Sequence, residues 1–193
     1  MSIQDINLLK SFQSSWAKHK YWVMSRSQKA YNKIRLLAKE NDWSLEKQET
    51  YEKWQDAYRT LQEAGEIMWF YTCAFPAGPY MNRSMDLPLA VSRTVLWMGA
   101  YYRLSGFLHW GFNYYIGDDI WHSACCPHKG ALLPAGDAHI VYPGPDGKPY
   151  RSMRFEAQLG GAEDYELLMQ LIERSPEKAD HLIQSVCTGF SRY

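Results

Sequence analysis

The sequence lacks several features that would place it in a broad class of protein. Its 193 residues carry 21 basic and 21 acidic side chains, so the net charge is zero and no overall field favours nucleic acid or a membrane surface. No run of 18 apolar residues occurs, and the N-terminus has no apolar segment typical of a signal peptide. We therefore expect a cytoplasmic protein with no nucleic-acid partner and no membrane partner.

Cysteine is also scarce, and its placement indicates no disulfide framework. There are four cysteines, and the adjacent pair Cys125 and Cys126 are poor partners for each other. The segment His122–His128 contains two His and two Cys, which resembles a zinc cluster. Zinc sites usually take paired ligands with a second pair elsewhere in the chain, and this segment stands alone. We therefore predict no metal and no cofactor.

The basic residues are concentrated at the N-terminus. Residues 1–40 hold eight Lys and Arg against two acidic side chains. Their apolar positions recur at helical spacing, which predicts one or two helices. We therefore divide the chain into a basic helical segment, residues 1–43, and an α/β domain, residues 44–193. An interaction module that works through the basic helices is one alternative function.

The larger segment alternates between helical and extended patterns. Three strands are predicted, at residues 67–73, 106–115 and 139–143. Helices are predicted from Ser44 to a stop at Gly65, over 87–103 after an Asp86 cap, from a Ser152 cap to 174, and from Ser175 onward. Such alternation is typical of parallel strands covered by helices. Because three strands leave two open sheet edges, we predict the C-terminal portion of a (β/α)₈ barrel with a helical N-terminal extension.

Two of the predicted strands become polar and aromatic towards their C-terminal ends. Barrel enzymes build their sites at such strand ends. Sugars bind to aromatic faces, with a few amides and hydroxyls that fix orientation. We predict a sugar pocket lined by Trp69, Tyr71, Trp110, Asn113 and Tyr142. Packing in the protein core is the alternative role for these rings.

Ordered segments of the chain resemble a known family. Met68-Trp-Phe-Tyr-Thr-Cys, followed by Pro79-Tyr-Met-Asn-Arg, resembles the W-x-Y-T-C … P-x-x-N-R stretch of glycoside hydrolase family 123 and of the related domain of unknown function 4091. Further segments are similar to the blocks that follow in the family: Arg93–Met98, Gly106–Tyr114, Tyr142–Gly144 and Ser152–Glu166. Each block alone is weak, but their number and order make the signal specific.

The resemblance implies a fold and an activity. Members of the family resemble (β/α)₈ β-N-acetylgalactosaminidases that retain configuration and use the 2-acetamido group of the substrate as nucleophile. An adjacent Asp-Glu pair serves that mechanism: the Asp orients the acetamide, and the Glu acts as general acid and then as base. This sequence contains no Asp-Glu dipeptide. No catalytic residue is therefore assigned, and we expect a truncated domain that is inactive as an isolated chain.

Two other acidic pairs are assigned structural roles. Asp118-Asp119 lies in a loop after the second predicted strand, where a solvated turn or a helix cap is expected. Glu163-Asp164 falls on a predicted helix face, where it could pair with Arg93 or Arg154. Neither pair is expected to act on a substrate.

The predicted partner is an N-acetylhexosaminide carbohydrate. The open strand edges predict a second partner, which would be a missing N-terminal half of the barrel or another copy of the chain. A non-catalytic glycan-binding or scaffolding protein that uses the same aromatic pocket is the alternative function.

Overall fold

A computed structural model describes residues 22–25 (backbone only), 56, 58–75, 80–116 and 119–187. The chain divides into two compact units. Unit 1 comprises residues 1–71 and 104–107, and unit 2 comprises residues 72–103 and 108–193. The described part contains both helices and strands, which fits the predicted α/β class. The (β/α)₈ barrel stays a prediction.

The main sheet has three strands in the order β1-β2-β3, where β1 is Trp22–Ser25, β2 is Met68–Thr72 and β3 is Gly106–His109. β1 runs antiparallel to β2, with Trp22 opposite Tyr71. The prediction that residues 1–43 are helical is therefore wrong at β1. Aromatic and β-branched residues in the Trp-Val-Met run favour an extended strand. The rest of that segment lies outside the described residues.

Unit 1 packs around the start of β2. Met68 and Phe70 are buried, and the ring of Phe70 lies 4.7 Å from that of Phe107. The backbone N–H of Ser105 donates to the carbonyl of Met68 at 2.9 Å. Aromatic rings and a backbone bond thus hold the start of β3 beside β2.

The helix that precedes β2 ends as predicted at Gly65. The N–H of Gly65 donates to the carbonyl of Gln62, and the N–H of Glu66 donates to the carbonyl of Leu61. These are the two bonds of a Schellman motif, which requires a left-handed residue. Gly65 supplies it at φ 85°, where a side chain would be strained.

Three helices form the core of unit 2. They are α1 (Leu89–Tyr101), α2 (Met153–Arg174) and α3 (Pro176–Val186), and each packs against the other two. Their buried apolar residues include Val91, Val95, Met98, Leu168 and Ile183. In the described part of the chain, no helix combines the length and the apolar composition needed to cross a bilayer.

The start of α1 differs from the prediction. The helix begins at Leu89 with Pro88 as its N-cap, and no side chain caps it, so Asp86 does not have the predicted role. Proline disfavours the helical conformation in the residue before it, which explains why Leu87 stays outside. At the other end, the Arg103 guanidinium donates to the carbonyl of Ala100 at 2.6 Å and satisfies one of the last helical acceptors.

The cap of α2 is confirmed. Ser152 Oγ accepts the N–H of Phe155 at 3.1 Å. The helix continues without a break through Gly160 and Gly161. A Cβ at Gly161 would clash with the backbone carbonyl of Arg93, so this glycine permits close approach of α1 and α2.

The remaining strands form two short hairpins that the sequence analysis did not anticipate. β4 (Pro127–His128) pairs antiparallel with β5 (Ala131–Leu132), and β6 (Val141–Tyr142) pairs antiparallel with β7 (Tyr150–Arg151). The third predicted strand, residues 139–143, therefore enters a hairpin, and the prediction of parallel strands is wrong here. Asp146 and Gly147, in the segment between β6 and β7, both have positive φ, and this reverses the direction of the chain.

Candidate functional site

An exposed aromatic pair follows the end of β3 in unit 2. Trp110 is 37% exposed and Tyr114 is 53% exposed. Their centroids are 5.5 Å apart at 59°, so the two rings support each other without being fully stacked. Trp110 therefore does not fill a core, and part of its indole surface is open to a ligand.

A buried carboxylate fixes the edge of the Trp110 ring. Trp110 Nε1 donates to Asp137 Oδ2 at 2.8 Å. The side chain of Asp137 is only 2% exposed. Since a hydrogen bond to an ionised acceptor is stronger than a neutral one, this contact holds the indole in one orientation.

The other carboxylate oxygen faces a buried histidine. His109 Nδ1 accepts from Arg83 Nη2 at 2.8 Å and from the N–H of Gly111 at 3.2 Å. Because both partners can only donate, the neutral ring carries its proton on Nε2. That nitrogen lies 3.3 Å from Asp137 Oδ1, but the approach is not aligned as a hydrogen bond.

Burial keeps His109 neutral. The pKa of His109 is lowered from 6.5 to about 4, first by the loss of solvation and also by the positive charges of Arg83 and Arg154, while Asp137 acts in the opposite direction. The pKa of His139 is also lowered, first by burial and then by the same two guanidinium groups. Both rings are therefore uncharged near neutral pH.

Arg154, at the start of α2, holds the loop that carries Asp137. Its guanidinium donates to the carbonyls of Arg83 at 2.7 Å, Gly136 at 3.1 Å and His139 at 2.8 Å. Gly136 is needed beside it, because a Cβ there would lie 2.7 Å from the guanidinium. The helix thus anchors both sides of Asp137 in the sequence.

The backbone after β3 lies against the residues that follow Asp137. The N–H of Tyr114 donates to the carbonyl of Ala138 at 3.1 Å, and Asn113 forms a bridge with His139. This pairing leaves the Asn113 side chain exposed on the same short segment as Trp110. The two predicted site residues are therefore three positions apart on a fixed strand end.

Tyr142 belongs to a second aromatic group of unit 2. Its ring stacks on the exposed Trp121, with centroids 4.9 Å apart at 14°. It also meets the ring of His139 edge-on at 5.1 Å. His139 therefore touches Tyr142 through its ring and Asn113 through its backbone, which places Tyr142 near the segment after β3.

Trp69 and Tyr71 lie in unit 1. Trp69 is half-buried, and its indole covers Gly106, where a Cβ would clash with the ring. Tyr71 is 6% exposed. Both positions are compatible with packing, and the binding role assigned to them stays a prediction.

The other candidate groups have local roles. Asp119 accepts from His122 Nδ1 at 2.6 Å on a solvated turn, in agreement with the structural role expected there, while Asp118 lies outside the described residues. Asp164 binds Arg93 through two hydrogen bonds of 2.7 and 2.8 Å, which confirms one of its two expected partners. No group of three His, Cys, Asp or Glu that could hold a metal is found among the described residues.

Sequence reasoning missed the buried network behind Trp110. Three of its members, Arg83, His109 and Arg154, fall inside the segments that resemble the family, so the signal was present but unused. Asp137 lies outside those segments, between the second and third predicted strands. A pairing across 27 positions leaves no local pattern, and only the fold reveals it.

Comparison with known families is consistent with these observations. The family model described as "Glycoside hydrolase 123, catalytic domain" matches residues 7–171. The match includes β1 and every member of the network around Asp137. No curated protein matches the chain.

Proposed function

Because the chain belongs to glycoside hydrolase family 123, we propose that it binds a β-N-acetylhexosaminide through Trp110 and Asn113 and does not hydrolyse it alone. One observation supports this most directly. The Trp110 ring is open to solvent while its edge is tied to a buried carboxylate. A tryptophan that only fills the core would not be exposed, and a surface tryptophan without a role would not need a hydrogen bond to a buried carboxylate.

The chemistry of the two side chains suits a sugar. An indole face stacks on the C–H surface of a pyranose, and such rings supply large contact area at low entropic cost. The Asn113 amide offers both donors and an acceptor, so it can bind a hydroxyl or the acetamide of the sugar. Tyr114, beside Trp110, extends the aromatic surface.

Hydrolysis by the mechanism of the family requires an adjacent acidic pair. The sequence has no Asp-Glu pair to orient the acetamide and protonate the leaving group. The side chains of Asp137 and His109 are both buried, and Asp137 already accepts a hydrogen bond from Trp110. Neither side chain therefore reaches a bound sugar. We propose that the acidic pair comes from polypeptide outside these 193 residues, either another segment of the barrel or a second chain.

Tyr142, Trp69 and Tyr71 are proposed as further contacts of the same ligand class. Tyr142 presents its ring beside Trp121 in unit 2. The proposal for Trp69 and Tyr71 rests on their position in β2 of unit 1 and is independent of the surface around Trp110.

A non-catalytic glycan-binding role is the second candidate function. The burial of Asp137 favours it, because the carboxylate that shapes the surface cannot take part in acid–base chemistry there. The two candidates share the binding step and differ only in whether added polypeptide restores turnover.

The test measures binding and turnover on the same purified chain. We expect methyl β-N-acetylgalactosaminide to bind by calorimetry, and the matching β-galactoside, which lacks the acetamide, to bind more weakly. A chromogenic β-N-acetylgalactosaminide should release no product above the buffer blank, because general acid–base help alone is worth about 10²–10⁴-fold. Turnover that survives both Asp118→Ala and Asp119→Ala would contradict the proposed lack of catalysis.

A further inference from the structure

We propose that Asp137 is a positioning residue for the carbohydrate surface: it acts through the indole N–H of Trp110 and never touches the sugar. This inference rests on the proposed function, since it names the group that decides whether Trp110 is presented to a ligand. The 2.8 Å bond from Trp110 Nε1 to Asp137 Oδ2 is the contact that carries it.

Burial separates Asp137 from any ligand. Its side chain is 2% exposed, and its backbone is covered by Gly111, where even a Cβ would clash with the Asp137 carbonyl oxygen. A sugar on the exposed face of Trp110 therefore meets the ring and not the carboxylate. Any effect of Asp137 on affinity must pass through the ring.

The carboxylate itself is held from two directions. Arg154 fixes the carbonyls of Gly136 and His139, which flank it in the chain. His109 places its Nε2 3.3 Å from Oδ1, and the ring of His109 is in turn set by Arg83. Because these contacts hold the Asp137 carboxylate in place, the hydrogen bond would break if the indole rotated. The carboxylate therefore restricts the Trp110 ring to one orientation.

The arrangement predicts different results from two substitutions at one position. Asp137→Leu keeps the branched shape of the side chain, with a larger volume, but removes both acceptors, so the Trp110 edge is released and affinity should fall about tenfold, close to the worth of a charge-assisted hydrogen bond. Asp137→Asn keeps one acceptor for the indole N–H but points a donor at the protonated Nε2 of His109. Its affinity should therefore lie between those of the wild type and Asp137→Leu.

The decisive experiment is a double-mutant cycle with Trp110→Phe, which keeps an aromatic face but removes the N–H. Affinity for methyl β-N-acetylgalactosaminide is measured by calorimetry for the wild type, Trp110→Phe, Asp137→Leu and the double variant. If Asp137 acts through the indole N–H, Asp137→Leu should lower affinity in the wild type and not in the Trp110→Phe background. An equal loss in both backgrounds would overturn the positioning role.

A measurement without sugar keeps the inference separate from the proposed function. The indole N–H resonance of Trp110, identified by its loss in Trp110→Phe, should be slow to exchange with solvent in the wild type. It should exchange much faster in Asp137→Leu and show intermediate protection in Asp137→Asn. Unchanged exchange in both variants would overturn the inference, and should Asp137→Leu fail to fold, the comparison of wild type with Asp137→Asn still decides it. Absence of sugar binding by the wild type would instead reject the proposed function.

Discussion

In two places in unit 2, an aspartate accepts the indole N–H of a tryptophan. Asp164 Oδ2 accepts from Trp97 at 3.0 Å, and Asp137 Oδ2 accepts from Trp110 at 2.8 Å. Trp97 is half-buried on α1, where its partner comes from α2, so that pair joins two packed helices. Trp110 lies after a strand with much of its ring in solvent. The same bond therefore braces helices in one place and presents a surface in the other.

The two carboxylates also differ in how their charge is balanced. The Arg93 guanidinium donates to Asp164 through Nε at 2.7 Å and through Nη2 at 2.8 Å. Hydrogen bonding to Arg93 is the main reason that the pKa of Asp164 is lowered. Asp137 faces the neutral ring of His109, whose far nitrogen contacts Arg83. Direct pairing of Asp164 with a guanidinium links two helices, whereas the neutral His109 ring helps to orient the Asp137 carboxylate without placing a second charge beside it.

The largest expected difference between the two places comes from removing each tryptophan. Trp97→Ala should cost about 3 kcal/mol of unfolding free energy, because a large side chain leaves the helix interface, and sugar affinity should not change in the folded protein. Trp110→Ala should cost about 1–3 kcal/mol of unfolding free energy, because the buried Asp137 carboxylate loses its indole donor, and it should abolish binding of methyl β-N-acetylgalactosaminide. Urea unfolding and calorimetry on both variants check this.

The comparison would break if the two variants behaved alike. A large stability loss in Trp110→Ala together with unchanged sugar affinity would make Trp110 a packing residue, like Trp97. Trp110→Phe is the matched control, since it keeps the aromatic face and should retain part of the affinity.

The sequence predicts the surroundings of Asp164 better than those of Asp137, and the reason is physical. The expectation that Asp164 could pair with Arg93 came from its place on a predicted helix face, and the structure confirms the pair. The Asp137 network depends on which loop returns to the end of β3, and no local pattern encodes that return. Trp110 and Asn113 were predicted as site residues from their strand-end position and from the segment that resembles the family, whereas Asp137, which holds Trp110, was not predicted.

The errors in the fold prediction have a similar origin. Hydrophobic periodicity identified α2 and its Ser152 cap, because a 22-residue helix carries many repeats of the pattern. The two-residue strands β4 to β7 are too short to show any alternation. β1 is four residues long and lies among residues with helical spacing, so the strand preference of its own residues is too short a signal, and its pairing with β2 cannot be anticipated from the sequence.

The next largest effect should be on the pH dependence of stability, which differs between the surroundings of Asp137 and those of Asp164. His109 has a folded pKa of about 4 against 6.5 when unfolded, so between these values the unfolded chain binds a proton that the folded chain does not. Stability should therefore fall as pH drops from 6.5 to about 4, by up to about 3 kcal/mol. Asp164 has a lowered pKa, so its contribution is present above 3.8 and is lost only as pH falls further.

Urea unfolding at about pH 7, pH 5 and pH 3 distinguishes these windows. His109→Gln should reduce the loss of stability between the upper two values and, because its window extends to about pH 4, part of the loss below pH 5. Asp164→Asn should reduce the loss only below the middle value. His139 titrates in the same direction as His109 and keeps part of the slope in His109→Gln, so the difference between variant and wild type is the quantity to compare. An unchanged slope in His109→Gln would show that the ring is not held neutral by burial.

The smallest expected effects come from the glycines that let each place pack closely. A Cβ at Gly161 would clash with the backbone carbonyl of Arg93, and a Cβ at Gly111 would clash with that of Asp137. At Gly160 the nearest atoms belong to the Arg93 side chain, 3.7 Å away, which is ordinary contact. Gly161→Ala and Gly111→Ala should each destabilise by about 1–3 kcal/mol, while Gly160→Ala should stabilise α2 by about 0.5–1 kcal/mol through helix propensity.

These three variants sharpen the comparison because the two destabilising ones should differ in binding. Gly111→Ala pushes the segment after β3 away from Asp137, so it should lower sugar affinity and speed the exchange of the Trp110 indole N–H. Gly161→Ala forces α1 and α2 apart and should leave both unchanged in the folded protein, since Gly161 lies about two turns along α2 from Arg154, the residue that holds the Asp137 loop. Gly160→Ala, one residue away, controls for a general effect of alanine in α2. If Gly161→Ala disturbed the Trp110 resonance as strongly as Gly111→Ala, the helix brace and the carbohydrate surface would form one coupled structure rather than two separate uses of the same bond.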